Sequence, residues 1–241
     1  MTATSSTTPT TPIIYPSSDG EPVAETYDHL YVILTTLEVL KQYLTGRQAT
    51  VLANQFLYYS QGFPRLRIAP DVMVIFDVEP GGRDNYKTWE EGQVPVVIFE
   101  MTSKGTQDQD KTFKKTLYEQ LGVQEYWLFD PKGEWIEQKL QGYRLRGEIY
   151  EPITDSRSEP LQLRLVVEDK LIGFYREDTG EKLLIPDELA QALNQETQAR
   201  QLAEERAEQE RQQREQAQQQ LAEMEATLAR YREQFGDLPE S

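Results

Sequence analysis

Pro70-Asp71-Val72-Met73-Val74-Ile75-Phe76 and, further on, Val94-Pro95-Val96-Val97-Ile98-Phe99-Glu100 are the runs on which the reading of this chain turns. Both are short, rich in β-branched side chains and bounded by proline, glycine or charged residues, as buried strands are. The first opens on a carboxylate, Asp71, and the second delivers another, Glu100, at its end. If the two strands run antiparallel, the head of one meets the tail of the other and the two acids converge. Lys104, Lys111, Lys114 and Lys115 follow closely in sequence. Carboxylates can hold a hard divalent cation, which activates water and offsets charge on phosphoryl oxygens. A lysine beside them could orient the attacking water or stabilise developing charge. Acids at strand ends are also commonly just solvated, and spacing alone leaves that reading open.

Working outward, the segment from about Asp108 to Leu121 resumes helical spacing, with Phe113, Leu117, Tyr118 and Leu121 on one face and Gly122 placed to cap it. Glu125 to Phe129 returns to strand, and strand, helix, strand marks a crossover unit in a mixed sheet. Upstream, Leu30, Ile33, Leu34, Leu37, Leu40 and Leu44 predict a helix over 26–44 that covers a sheet face, with Thr26 or Asp28 as cap and Gly46 as its end. Val51 to Tyr59 and Arg65 to Phe76 predict two strands joined by a turn over 60–64. Downstream, Trp135 to Ile149 and Leu161 to Val167 read as antiparallel additions at one edge of the core sheet.

The chain has 241 residues, a formal charge of −16, one histidine and no cysteine. Cysteine-bound zinc and disulfide frameworks are therefore excluded, and histidine-rich zinc hydrolase designs are disfavoured. The acidity counts against a surface that attracts nucleic acid everywhere, though not against a local basic groove. Residues 1–21, rich in Thr, Ser and Pro at the start, read as a flexible leader without a secretory pattern. No apolar run is long enough to span a bilayer, so a cytoplasmic protein is expected.

Residues 22–185 form the expected folded domain and 186–241 a helical extension. In that extension positions 189, 193, 196, 200, 203, 207, 210, 214, 217, 221, 224, 228, 231, 235 and 238 follow a heptad seam. They are apolar except at Glu196, Arg200, Glu210 and Arg214, which interrupt its middle. This pattern predicts a coiled coil, strongest from Ala217 onward. The alternative is a single solvated helix. From Asp187 to Glu240 there are 13 acidic and 6 basic side chains, a net of −7, so the tail carries much of the acidity.

Several motifs in order, Pro70-Asp71-Val72, Val97-Ile98-Phe99-Glu100-Met101-Thr102-Ser103, Asp110 with Lys114 and Tyr118, and Gly122-Val123-Gln124-Glu125-Tyr126-Trp127-Leu128-Phe129-Asp130-Pro131, resemble the Uma-two family. That family is abundant in cyanobacteria and is grouped with the PD-(D/E)XK restriction-endonuclease-like superfamily. The likeness covers roughly Tyr15 to Glu168. It implies an α/β restriction-endonuclease-like mixed sheet core flanked by helices, a divalent magnesium or manganese ion, and hydrolysis of phosphodiester bonds in DNA. Asp71 matches the aspartate of the superfamily motif and Glu100 the acid of its second half, and the main-chain carbonyl of Met101 is a further metal ligand on that pattern. The motif's lysine should stand two positions after the acid, where this chain has Thr102. In the family the lysine has moved onto the following helix, which points to Lys114, with Lys104 the near alternative.

Glu25 resembles an upstream acid used near the metal by some superfamily members, although it reads first as a solvated helix start. His29 reads as a helix-surface residue that could face the same cleft. Asp110 either pairs with Lys114 one turn later or is exposed. Two functions follow: a metal-dependent endonuclease acting on DNA as a homo-oligomer built through the C-terminal helix, or an inactive nuclease-fold scaffold whose coiled coil recruits partners.

Overall fold

Val72–Phe76 and Val97–Met101, the strands behind the two acids, lie side by side and antiparallel, with Val72 opposite Phe99 and Val74 opposite Val97. The computed structural model describes residues 13–20 and 26–236, which divide into two units between Pro186 and Asp187. The described elements of the first unit are α1 (Tyr27–Tyr43), β1 (Ala49–Ala53), β2 (Leu57–Tyr58), β3 (Arg67–Ile68), β4 (Val72–Phe76), β5 (Tyr86–Lys87), α2 (Thr88–Glu91) and β6 (Val97–Met101). Then come α3 (Gln107–Gln109), a π-helical turn (Asp110–Lys114), α4 (Lys115–Leu121), β7 (Glu125–Phe129), β8 (Leu140–Arg146) and β9 (Ile149–Ile153). The unit closes with β10 (Arg157–Ser158), β11 (Leu163–Glu168), β12 (Leu171–Arg176) and β13 (Lys182–Leu183), and α5 (Pro186–Phe235) follows.

The main sheet is 6-stranded in the order β1-β4-β6-β7-β8-β9. Its β6 and β7 pair in parallel, while the other neighbours pair antiparallel. A parallel pair needs a crossover, and α3 to α4 supplies it. Every residue of β6 and β7 is buried, as expected of strands covered on both faces. Alternation then sorts the side chains. Val97, Phe99, Met101, Trp127 and Phe129 join α1 in one core, and Met73, Ile75, Ile98, Tyr118, Tyr126 and Leu128 form the other. Each fully buried large apolar side chain among them contributes about 1.5–3 kcal/mol of transfer free energy.

Helix α1 begins where expected, with the Thr26 hydroxyl accepting from the amide of His29 at 3.4 Å. Its buried stripe is different from the leucine stripe read from spacing: Val32, Ile33, Thr36, Val39, Leu40 and Leu44 are buried, whereas Leu30 and Leu34 are exposed. The cause is that α1 packs both on the main sheet and on β12 of a second sheet, so two of its sides are covered.

Three other expectations change. The two long strands over 51–59 and 65–76 are each broken, because Asn54 adopts a left-handed φ of 51° and bonds its amide to the carbonyl of Pro70. Beyond the break, β2 leaves the main sheet and pairs with β3 and β5. The 161–167 segment does not extend the core sheet. It lies in a separate 4-stranded sheet, β10-β11-β12-β13, whose Leu163, Leu165 and Phe174 close over the α1 core. Phe113 is exposed, and in its stead Tyr118 carries the inner face of the crossover helix.

Part of the expected leader is held. Tyr15 packs against Tyr58 and Trp89, its hydroxyl accepts from Gly62 N at 2.6 Å, and the Tyr58 hydroxyl donates to Pro16 O at 2.5 Å. The second unit contains α5, a single helix of 50 residues whose described seam side chains, including Leu193, Leu221, Met224 and Leu228, are exposed. Leu238 lies outside the described residues. Among the described residues, no helix is long and apolar enough to cross a membrane.

Candidate functional site

The parity of the strands decides where the acids go. Ile98 and Glu100 project to the face of β6 that carries Tyr118, and the antiparallel register with β4 brings Asp71 to the same end of the sheet. Glu100 is fully buried there. Its Oε2 accepts from Lys114 Nζ at 2.8 Å and its Oε1 from the Tyr118 hydroxyl at 2.7 Å. Asp71 reaches across the strand end, and its Oδ2 accepts from the main-chain amide of Met101 at 2.6 Å. The structure thus brings Asp71, Glu100, Met101 and Lys114 together.

The crossover helix is what aims Lys114. Its first part is wound as a π-turn from Asp110 to Lys114, a widened geometry that occurs mostly as a single turn inside an α-helix. Asp110, on the same face one turn before Lys114, is 1% exposed, and its Oδ1 lies 2.8 Å from Lys114 Nζ. That contact is an ion pair without hydrogen-bond alignment, and Asp110 Oδ2 has no hydrogen-bond partner among the described residues. Of the two readings of Asp110, pairing is the one observed. The Tyr126 hydroxyl donates to the Asp110 carbonyl at 3.0 Å and pins the turn to β7.

Electrostatics follow from this packing. Burial raises the Glu100 carboxyl to about 8; Lys114 opposes the shift, and the nearby Asp71 and Asp110 charges add to it. For Lys114, burial works against its charge, but Glu100 and Asp110 outweigh burial and hold the ammonium firmly protonated. Tyr118 is raised well above its ordinary value, first by burial and then by Glu100, so it stays a hydrogen-bond donor. The cluster therefore gathers three carboxyl groups about one ammonium, with Glu100 holding its proton to a higher pH than an ordinary carboxyl.

A cleft of about 480 Å3 opens beside it, lined by Asp71, Thr102, His29, Lys104, Lys132 and Trp135 among others. Lys104 sits on this wall rather than beside Glu100, and it makes no ion pair among the described residues. His29 faces the cleft as well, with Nε2 3.9 Å from Asp71 Oδ2. Glu25 lies outside the described residues. Ser103 is a turn residue, its amide bonded to Thr106 Oγ1 at 3.1 Å. Among the described residues, no group of three or more His, Cys, Asp or Glu side chains is arranged as a metal cage.

Two things escaped the sequence reading. Tyr118 was placed on a helix face without its role as a donor to Glu100, although the 110, 114, 118 spacing puts all three on one face. A second buried acid, Glu125 on β7, was also passed over. It accepts from Arg144 Nε at 2.8 Å, from Trp127 Nε1 at 3.1 Å and from the amide of Glu159 at 2.9 Å. Its cation Arg144 and the Glu159 amide lie 19 and 34 residues further along the chain and left no local signal.

The chain is similar to a crystal structure from Anabaena variabilis described as "a putative nuclease belonging to DUF820". That likeness has 16% identity over 63% of this chain and 79% of that one, with a TM-score of 0.42. No curated protein matches the chain at a significant level. Residues 9–172 match the family described as "Uma2: Putative restriction endonuclease", and this chain, mixed α/β in fold, belongs to that family.

Proposed function

We propose that this protein is a metal-dependent endonuclease that hydrolyses phosphodiester bonds in DNA. The observation that carries this reading is the gathering of the Asp71, Glu100 and Asp110 carboxyl groups at one end of the sheet around Lys114, beside an open cleft that Asp71 lines. Buried charge without compensation is costly, and an all-oxygen donor set suits magnesium or manganese. Asp71 and Glu100 would hold the ion, with the Met101 carbonyl as a third donor. A bound divalent ion would supply Lewis-acid charge and an activated water.

The chain's own groups then have distinct roles. Lys114 keeps its proton, so it serves as a fixed positive charge and hydrogen-bond donor, not as a base. Asp110 holds that ammonium in place, and Tyr118 fixes the second oxygen of Glu100. Lys104, which lines the cleft, would meet a substrate phosphate. The C-terminal helix would join two copies of the chain.

Plasmid nicking with magnesium or manganese tests the proposal. Cleavage is expected from the wild-type chain and is expected to vanish in Asp71→Ala and Glu100→Ala; cleavage that persists in both variants defeats it. The scaffold reading is favoured by one observation, the complete burial of Glu100 with both oxygens already accepting. No cleavage together with no divalent-ion binding would establish that reading instead.

A further inference from the structure

The charged positions on the α5 seam have a symmetry that fixes how two copies would meet. Along the helix the seam reads Leu189, Leu193, Glu196, Arg200, Ala203, Ala207, Glu210, Arg214, Ala217 and Leu221. In an antiparallel pair, layers match an a position with a d position of the partner. With the pair centred between Ala203 and Ala207, Leu189 meets Leu221, Leu193 meets Ala217 and Ala203 meets Ala207. In the same register Glu196 meets Arg214 and Arg200 meets Glu210. Between Leu189 and Leu221 every apolar layer then faces an apolar layer and every charge faces its opposite, while Met224, Leu228 and Tyr231 lie beyond the span that pairs.

No other arrangement of this seam does so. In a parallel, in-register pair each position faces its own copy, so Glu196, Arg200, Glu210 and Arg214 would each confront a like charge. A parallel pair shifted by one heptad sets Glu196 against Ala203 and Arg214 against Leu221, which leaves charges unpaired in the seam. Shifting the antiparallel pair by one heptad in either direction sets Arg200 against alanine. The flanking positions do not decide between orientations: Glu204 and Arg206 approach like charges in the antiparallel pair, and Arg206 approaches Arg211 in the parallel one. Those contacts are solvated, where a pair is worth little, so the seam governs.

We infer that α5 is an antiparallel self-association helix, whose occupant is a second copy of this chain with Glu196 and Arg200 paired to the partner's Arg214 and the partner's Glu210. The single helix is consistent with this. Its Leu189, Leu193 and Leu221 are exposed, and Glu196, Glu210 and Arg214 make no ion pair among the described residues, while Arg200 leans only on Glu204, 3.0 Å away at the exposed surface. The inference goes beyond the nuclease reading and does not depend on it. It has a geometric consequence: the two copies of Leu189 stand about 48 Å apart along the pair at 1.5 Å per residue. The chains would therefore enter the coiled coil from opposite ends.

The absence of native cysteine makes the test clean. Leu189→Cys and Leu221→Cys full-length chains are prepared separately, mixed, oxidised and run on a non-reducing gel. A covalent dimer is expected in the mixture and in neither variant alone. Covalent dimers formed by each variant alone would establish a parallel pair and overturn the inference, as would no covalent dimer in any sample with a monomeric mass by light scattering. Charge exchange gives an independent readout. Glu196→Arg should weaken the dimer at least about tenfold, and adding Arg214→Glu should restore it; a double variant no tighter than the single one contradicts the antiparallel register.

Discussion

Two fully buried glutamates stand on neighbouring strands of the main sheet, Glu100 on β6 and Glu125 on β7, and their surroundings differ in kind. Glu125 is matched by the Arg144 guanidinium, the Trp127 indole and a main-chain amide, and among the described residues one further acid, Glu159 at the surface, shares that arginine. Glu100 shares its single ammonium with the buried Asp110 and lies near Asp71. Asp130 resembles Glu125: its carboxylate accepts four main-chain amides, from Lys132, Gly133, Trp135 and Ile136, and organises the loop on the cleft rim. A buried acid that holds the fold together is given enough donors. Glu100 instead shares its ammonium with a second buried acid, and that difference separates the candidate site from the framework.

The comparison can be broken most forcefully at Arg144. Arg144→Ala strands Glu125 without its cation and should cost about 3–5 kcal/mol of stability in denaturant unfolding, while divalent-ion binding to the folded protein stays unchanged. A loss near zero would mean that Glu125 is no framework residue. At Glu100 the balance should invert. Glu100→Gln removes a carboxyl whose ionised form burial disfavours, so stability should hold or rise while cleavage falls at least about 100-fold; a large loss of stability with activity retained would reverse the assignment of the two glutamates.

A pH series sharpens the contrast without changing the shape of the site. Because Glu100 in the folded chain binds its proton more tightly than in the unfolded chain, the folded state holds more protons between its ordinary value of 4.5 and about 8. Stability of the metal-free protein should therefore fall as pH rises through that window and flatten above it. Lys114 does not contribute there, since its shift lies at higher pH. The slope should shrink in Glu100→Gln, and an identical pH dependence in both proteins would contradict the electrostatic account. The smallest effect is expected from Tyr118→Phe. Loss of one donor to Glu100 should cost about 1.5 kcal/mol with modest loss of cleavage, and no change in either would remove Tyr118 from the site.

The approach of Asp71 and Glu100 was legible in the sequence because strand alternation and an antiparallel pairing leave few other places for them. Lys114 was legible from the family likeness and from its helical spacing to Asp110 and Tyr118. The π-turn that aims it was not, because the difference between α and π winding is set by contacts such as Tyr126 to the Asp110 carbonyl, which are remote in sequence. The same holds for the break at Asn54, whose left-handed conformation depends on the facing Pro70. The separate sheet over 157–183 was misread because period-two alternation identifies a strand without saying which sheet it joins. In α1 the leucine spacing did not follow the true stripe, since a helix covered on two sides buries threonine and valine as readily as leucine.

The central claim is that Asp71 and Glu100 share one divalent cation. Calorimetric titration of the protein with manganese tests it most directly. One ion per chain is predicted for the wild type, with binding lost in Asp71→Asn and in Glu100→Gln. Wild-type binding that survives unchanged in both variants, or no binding at all, would contradict the account.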